Sequence, residues 1–412
     1  MHIFNVVDAM YISRLGTQAL AALGFTIPFS MTLMGFIFGI SVSTSSLLSR
    51  AFGEGDFEKV RRLATDALTL TAVIVATVMI TGYFIMDEVF RRMGASESLL
   101  SIIHDYMVIW FFAYFIVSFV MISNAAVRGM GNTRYAAMII LIFVGVNLIL
   151  DPILIFGWGP IPAFGFKGSA MTQAIGYTVS LITSFYFLTM RQKVLGVSIF
   201  TPVLFHSWKK LLHVGIPATI SNLVPPVSAA IITWIISAHG QEAVAAIGVA
   251  TRIEGAASMS FYALGGGLAI FAGQNFGAGN YGRIREAMSV ALRYSVIFGF
   301  LMAGVLYYFG APIANYFDKD KAVAAYVTQY LHIVPAGYAF LGVIVFIQAA
   351  LNAMGKPLPA TLLIILRMFA LYVPMAFFAE KYFGFSGVLY ALLATNIIVA
   401  VISWVWGRRL TF

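Results

Sequence analysis

Asp8 lies in the apolar run that ends at Ser13, and no lysine or arginine in that run can pair with it. Asp151 closes the segment Asn147-Leu-Ile-Leu-Asp-Pro152. A carboxylate at the centre of a bilayer costs about 2.5–3.5 kcal/mol on insertion scales, so each such acid needs a compensating chemistry. Asn147 and Asp151 are four residues apart and share a helix face. Pro152 beside them has no N–H, which disturbs the backbone and frees carbonyl oxygen for a cation. Asn124 adds an amide in the fourth apolar run and Thr172 a hydroxyl in the sixth. Two carboxylates with amides and a hydroxyl form the oxygen-rich set that a proton or Na⁺ requires, with Asp8 and Asp151 as the candidate Na⁺ ligands. The bland alternatives are that Asp8 sits at the membrane interface and that Asp151 ends its span at the water boundary. Both stay open at this level.

The second half of the chain has a different set. Its one acid expected to be buried is Glu254, with Arg252 two residues away and hence on another helix face. Arg367 lies in the eleventh run, and Gln348 is the amide that corresponds to Asn124 in the repeat described below. These four residues make a second candidate polar site, in which either arginine can also neutralise Glu254 structurally. Ion coupling is expected in the first half.

Enzymatic chemistry has little to stand on. With no cysteine there is no thiolate nucleophile, thiolate zinc site or disulfide. The histidines form no HExxH spacing, and the run Gly265-Gly-Gly267 follows no strand and is followed by no GK[ST], so it reads as close helix packing. No serine, histidine and acid stand together as a hydrolase would need. The expectation is a protein without catalytic residues or a bound cofactor.

The elements that must position these side chains are membrane helices. Hydrophobic residues make up 61% of the 412 and charged ones 10%, with a mean hydropathy of +0.92. A balance so far from that of soluble domains leaves a polytopic, all-α membrane protein. The net charge of +9 is scattered in short clusters at the ends of apolar runs, which speaks against a nucleic-acid partner. Eleven full spans and one partial can be counted. The partial one is the first: about a dozen residues precede Ser13 where roughly twenty are needed, so its N-terminal part is expected to be missing. Lysine and arginine collect in alternate breaks, as at Arg50–Arg62, Arg128–Arg134, Arg191–Lys210 and Arg283–Arg285, which predicts both termini in the cytoplasm.

The chain also repeats itself. Gly16, Ala19, Ala21, Ala22 and Gly24 recur 224 residues later as Gly240, Ala243, Ala245, Ala246 and Gly248. The offset holds for Phe52, Gly53, Gly55 and Arg61 against Phe276, Gly277, Gly279 and Arg285, and for Ala125, Ala126, Met130 and Gly131 against Ala349, Ala350, Met354 and Gly355. Six spans per copy is an even number, so both copies enter the membrane in the same sense, as two parallel six-helix repeats. The expected division is an N-terminal lobe over 1–190, a cytoplasmic linker over 191–210 and a C-terminal lobe over 211–412.

Taken together, Gln274-Asn-Phe-Gly-Ala-Gly-Asn280 with Arg283, Arg285 and Ala287, its partner Arg50-Ala-Phe-Gly-Glu-Gly55, the paired Gly-x-x-Ala-x-Ala-Ala-x-Gly, Arg128-Gly-Met-Gly-Asn-Thr133 and Asn147-Leu-Ile-Leu-Asp-Pro-Ile-Leu154 resemble the multidrug and toxic compound extrusion (MATE) family. The likeness covers nearly the whole chain. It implies twelve helices in an N-lobe and a C-lobe around a central cleft, and a plasma-membrane antiporter, a monomer among membrane lipids, that exports cationic or amphipathic small molecules in exchange for H⁺ or Na⁺. It also implies that Asp8 matches the first-helix aspartate proposed for cation binding, with Asn124, Asn147, Asp151 and Thr172 as neighbours. Glu254 resembles a C-lobe acid of NorM-type members, but the partner aspartate of their tenth helix is absent here, which favours DinF-type coupling through the N-lobe. The alternative within the superfamily is a flippase of lipid-linked oligosaccharide or cell-wall precursors. That carrier needs a cleft rich in arginine and lysine, and only Arg252 and Arg367 are candidates.

Overall fold

The computed structural model describes residues 8, 10–12, 14–196, 202–317 and 320–411. These form helices almost throughout. Residues 8 and 10–12 belong to α1; then follow α2 (Thr17–Gly53), α3 (Phe57–Arg92), α4 (Glu97–Gly129), α5 (Thr133–Phe156), α6 (Phe166–Tyr186), α7 (Pro202–Ile236), α8 (Gln241–Gly277), α9 (Tyr281–Phe317), α10 (Lys321–Ile333), α11 (Tyr338–Ala353), α12 (Pro357–Ile365) and α13 (Val373–Thr411). A short 3₁₀ turn, Val334–Gly337, joins α10 to α11, and a π-helical stretch, Leu366–Tyr372, joins α12 to α13.

Nine helical stretches among the described residues are long and apolar enough to cross a bilayer. The last of these, Pro357–Gly407, is two spans in one, because Gly384 breaks the helix with φ 56° and ψ −142°. That conformation is open in practice only to glycine. α6 has 21 residues, about 31 Å of helix, enough for the hydrocarbon layer. It is less apolar than its neighbours because one face carries Ser169, Thr172, Gln173 and Ser180. With α1, the spans number twelve. The start of the first span lies outside the described residues.

The chain divides into two units. One runs to Gly215 apart from Gly53–Gly55, and the other comprises those three residues and Ile216 onward. Inside each unit the layout is the same at the offset seen in the sequence. α2, α3, α4 and α5 start at Thr17, Phe57, Glu97 and Thr133; their counterparts start at Gln241, Tyr281, Lys321 and Pro357. Phe52 meets Phe57 edge-on with centroids 5.7 Å apart, and so do Phe276 and Tyr281. Of the apolar spans, the most buried in the first unit is α4 and in the second α10–α11, and two-thirds of the apolar stretch of each is buried. Around α4 pack α3, α5 and α6, and around α11 pack α8, α9 and α13.

The segment after the sixth span is tied to the first unit. Arg61 donates from Nε to the Leu195 carbonyl at 3.1 Å, and the Gly196 N–H donates to Thr65 Oγ1 at 3.0 Å. Of the stretch 191–210 expected as a linker, residues 197–201 lie outside the described residues. Residues 202–210 are not loop but the first turns of α7, where Trp208 Nε1 donates to the Asp66 carbonyl at 3.1 Å.

Candidate functional site

The polar face of α6 organises the first unit. Residues 169, 172, 173 and 176 fall at the i, i+3, i+4, i+7 spacing that puts them on one stripe. Gly176 has no side chain because a β-carbon there would overlap Asn147 Nδ2, so α5 and α6 approach closely at that level. Tyr106 of α4 stacks on Phe166 at 4.2 Å, and Phe143 of α5 stacks on Tyr177 at 4.3 Å, which closes the surroundings with aromatic rings.

Into this space come carboxylates from two helices. Asp8 of α1 is 7% exposed and accepts a hydrogen bond from Ser169 Oγ at 2.8 Å; Gln173 Nε2 donates to the same Ser169 oxygen at 3.4 Å. Asp151 of α5 is fully buried, as are Asn147 and Thr172. Asp8 and Asp151 lie near enough to act on each other electrostatically, and both act on Tyr106. Asn147 donates from Nδ2 to the Phe143 carbonyl at 2.7 Å, and its Oδ1 has no hydrogen-bond partner among the described residues. The Thr172 hydroxyl sits beside Asp151, but its donor geometry is taken by the Gly168 carbonyl at 3.0 Å. Neither Asp151 oxygen has a hydrogen-bond partner among the described residues.

Three buried, unpartnered oxygens are costly unless something shares them. Two ionised carboxylates buried together add repulsion to that cost, which a proton or a small cation between them removes. The donor set is all oxygen, as Na⁺ prefers, and Asp8, Asp151 and Asn147 are the residues that could hold it. Among the described residues no group of three or more histidine, aspartate and glutamate side chains stands ready for a metal.

Asn124 is not part of this cluster. Its Nδ2 donates to the Ala136 carbonyl at 2.8 Å, fifteen residues or about 22 Å along α5 from Asp151. Its work is to tie α4 to the start of α5. Gln348 does the same in the second unit, donating to the Ala360 carbonyl at 3.4 Å, so it too stands away from the acid of its unit. The residues that sequence reading missed are Tyr106, Ser169, Gln173 and Tyr177. The signal for Ser169 and Gln173 was present, since they share the stripe that contains Thr172.

In the second unit, Glu254 of α8 is hydrogen-bonded to the Tyr330 hydroxyl of α10. Arg367 lies in the π-helical stretch and donates from Nε to Asn396 Oδ1 of α13 at 2.9 Å. Glu254 and Arg367 act on each other electrostatically, among Tyr262, Tyr330 and Tyr372, without a direct ion pair. Arg252 is exposed, on another face of α8, and does not join them. The second candidate set therefore reduces to Glu254 and Arg367, with Tyr330 and Asn396 as partners that the sequence did not suggest. Single-turn π-helical segments inside α-helices are frequent at functional sites, and here one sets the position of Arg367.

A doubled six-helix unit with acids buried away from water defines a membrane transporter rather than an enzyme. The sequence matches the MatE family over residues 1–153 and 217–378. It is 32% identical over 408 residues to the FAD transporter of Shewanella oneidensis, across 99% of this chain and 90% of that protein. To the probable multidrug resistance protein YoeA of Bacillus subtilis it is 25% identical over 383 residues, 92% of this chain and 83% of the other. The crystal structure of the Vibrio cholerae MATE transporter VcmN in the bent form matches with a TM-score of 0.94 at 28% identity, covering 99% of this chain and 92% of that one. The chain belongs to the MatE family and is a multi-pass membrane transporter of the MATE fold.

Proposed function

We propose that this transporter is a secondary antiporter of the plasma membrane, with both termini in the cytoplasm, that exports amphipathic or cationic small molecules in exchange for H⁺ or Na⁺. The observation that supports the reading is the pair Asp8 and Asp151, buried on different helices near enough to act on each other, with neither Asp151 oxygen hydrogen-bonded among the described residues. In this scheme cargo loads from the cytoplasmic side while the pair is ionised. Ions arriving from the opposite side then occupy the carboxylates, and bound ion and bound cargo exclude each other. One charge moving through 100 mV supplies about 2.3 kcal/mol, enough to bias the exchange roughly fifty-fold. Asn147 and Thr172 hold the pocket; Asn124 has no part in it.

A second reading of the cargo is a flavin nucleotide. It is supported by the likeness to the Shewanella FAD transporter and by Arg367, a cation set among tyrosines that suits phosphate and an aromatic ring. Both readings share the same coupling site. Proteoliposomes holding the full chain test them together: a pH or Na⁺ jump is applied, and movement of ethidium and of FAD is followed by fluorescence. Gradient-driven movement of either that is lost in Asp8→Asn supports the antiporter; movement of neither, or movement indifferent to Asp8→Asn, rejects it.

A further inference from the structure

On the second unit, α9, α11 and α13 enclose a groove of about 610 Å³ that no step of the proposed exchange uses. Its walls are apolar, with Leu292, Val296 and Ile297 from α9 and Trp404 from α13, and Ile297 and Trp404 are 71% and 42% exposed. Arg285 and Arg293 line the same groove, and both are exposed.

Depth gives the groove its meaning. From Tyr294 to Phe317, α9 carries no charged residue, long enough to cross the hydrocarbon layer. Arg293 therefore stands at the hydrocarbon edge, where a guanidinium can reach the lipid phosphates. Arg285 is eight residues earlier, about 12 Å further out, at the level of the headgroups. Trp404 is the kind of residue that settles at this boundary. An occupant that matches needs a negative headgroup near two arginines and a hydrocarbon tail that descends along Val296 and Ile297.

The geometry points to a binding site for one anionic phospholipid, its phosphate between Arg285 and Arg293 and an acyl chain in the apolar part of the groove. In the orientation proposed above this is the cytoplasmic leaflet; the site itself does not depend on that orientation or on the nature of the cargo.

Native mass spectrometry of the full chain in detergent, titrated with phosphatidylglycerol and separately with phosphatidylcholine of the same chains, tests it. The expected result is one tightly held phosphatidylglycerol, preferred over phosphatidylcholine by about fivefold for each arginine engaged. Arg293→Gln should lose most of that preference and Arg293→Lys should keep much of it. Val296→Trp, which fills the groove but leaves both arginines, should weaken binding of phosphatidylglycerol. Equal binding of the two lipids, a preference unchanged in Arg293→Gln, or binding indifferent to Val296→Trp would overturn the assignment.

Discussion

At the scale of single residues, the proposed exchange rests on Asp8 and Asp151, two buried acids near enough to act on each other electrostatically. Asp151→Asn removes the acid whose oxygens lack hydrogen-bond partners among the described residues, and gradient-driven transport should fall by about tenfold or more while the protein still assembles. Ser169→Ala should cost less, since Ser169 only holds Asp8 by one hydrogen bond. Transport assays in the same vesicles, with detergent-solubilised folding checked alongside, measure both. The pH dependence has a definite sign. Protonated carboxylates do not hold a cationic cargo, so ethidium binding should weaken as pH falls, and this slope should flatten in Asp8→Asn. At the same scale, Gly176→Ala would push Asn147 aside, a crowding that typically costs about 1–3 kcal/mol and should lower the unfolding temperature in micelles.

At the scale of helices, most of what the sequence offers is a pattern of spans, and its limits are instructive. The runs, their breaks and the offset between copies could be read because each helix crosses the same thickness of hydrocarbon and the copies share their loop lengths. The pairing of Asn147 with Asp151 was also legible, from spacing on one helix. Asn124 was placed in the wrong company because spacing reports the face of a helix but not which neighbour that face meets, and Asn124 meets the start of α5. Arg252 lies on a different face of α8 from Glu254, as the two-residue spacing implies. The π-helical stretch around Arg367 had no sequence signature at all. Gly384 is the element-scale test. Ala at this position would strain the break in the last helical pair by about 1–3 kcal/mol, and the loss of thermal stability should exceed that of Gly248→Ala, where a β-carbon meets nothing.

At the scale of the whole molecule, the absence of cysteine is useful, because a single introduced cysteine is a unique label. Cysteines placed at Gly55, Gly131 and Gly279 should react with membrane-impermeant maleimide only from the cytoplasmic side, and one at Gly94 only from the other. The basic breaks require that result; reversed labelling would contradict the proposed orientation and with it the direction of cargo movement. Two copies of one six-helix layout, each with its own polar cluster, have diverged in chemistry. The first keeps two acids, and the second holds one acid and an arginine that act on each other without a direct ion pair; the proposed ion exchange rests on the first.

The most direct measurement of ion exchange counts ions when cargo binds. With the purified chain in lightly buffered detergent, adding ethidium should release protons, detected by a pH dye, or Na⁺, detected by a sodium-selective electrode. The double variant Asp8→Asn, Asp151→Asn should release neither. If the double variant binds ethidium with the same affinity and the same ion release as the unaltered chain, the two aspartates are not where cargo and ion compete.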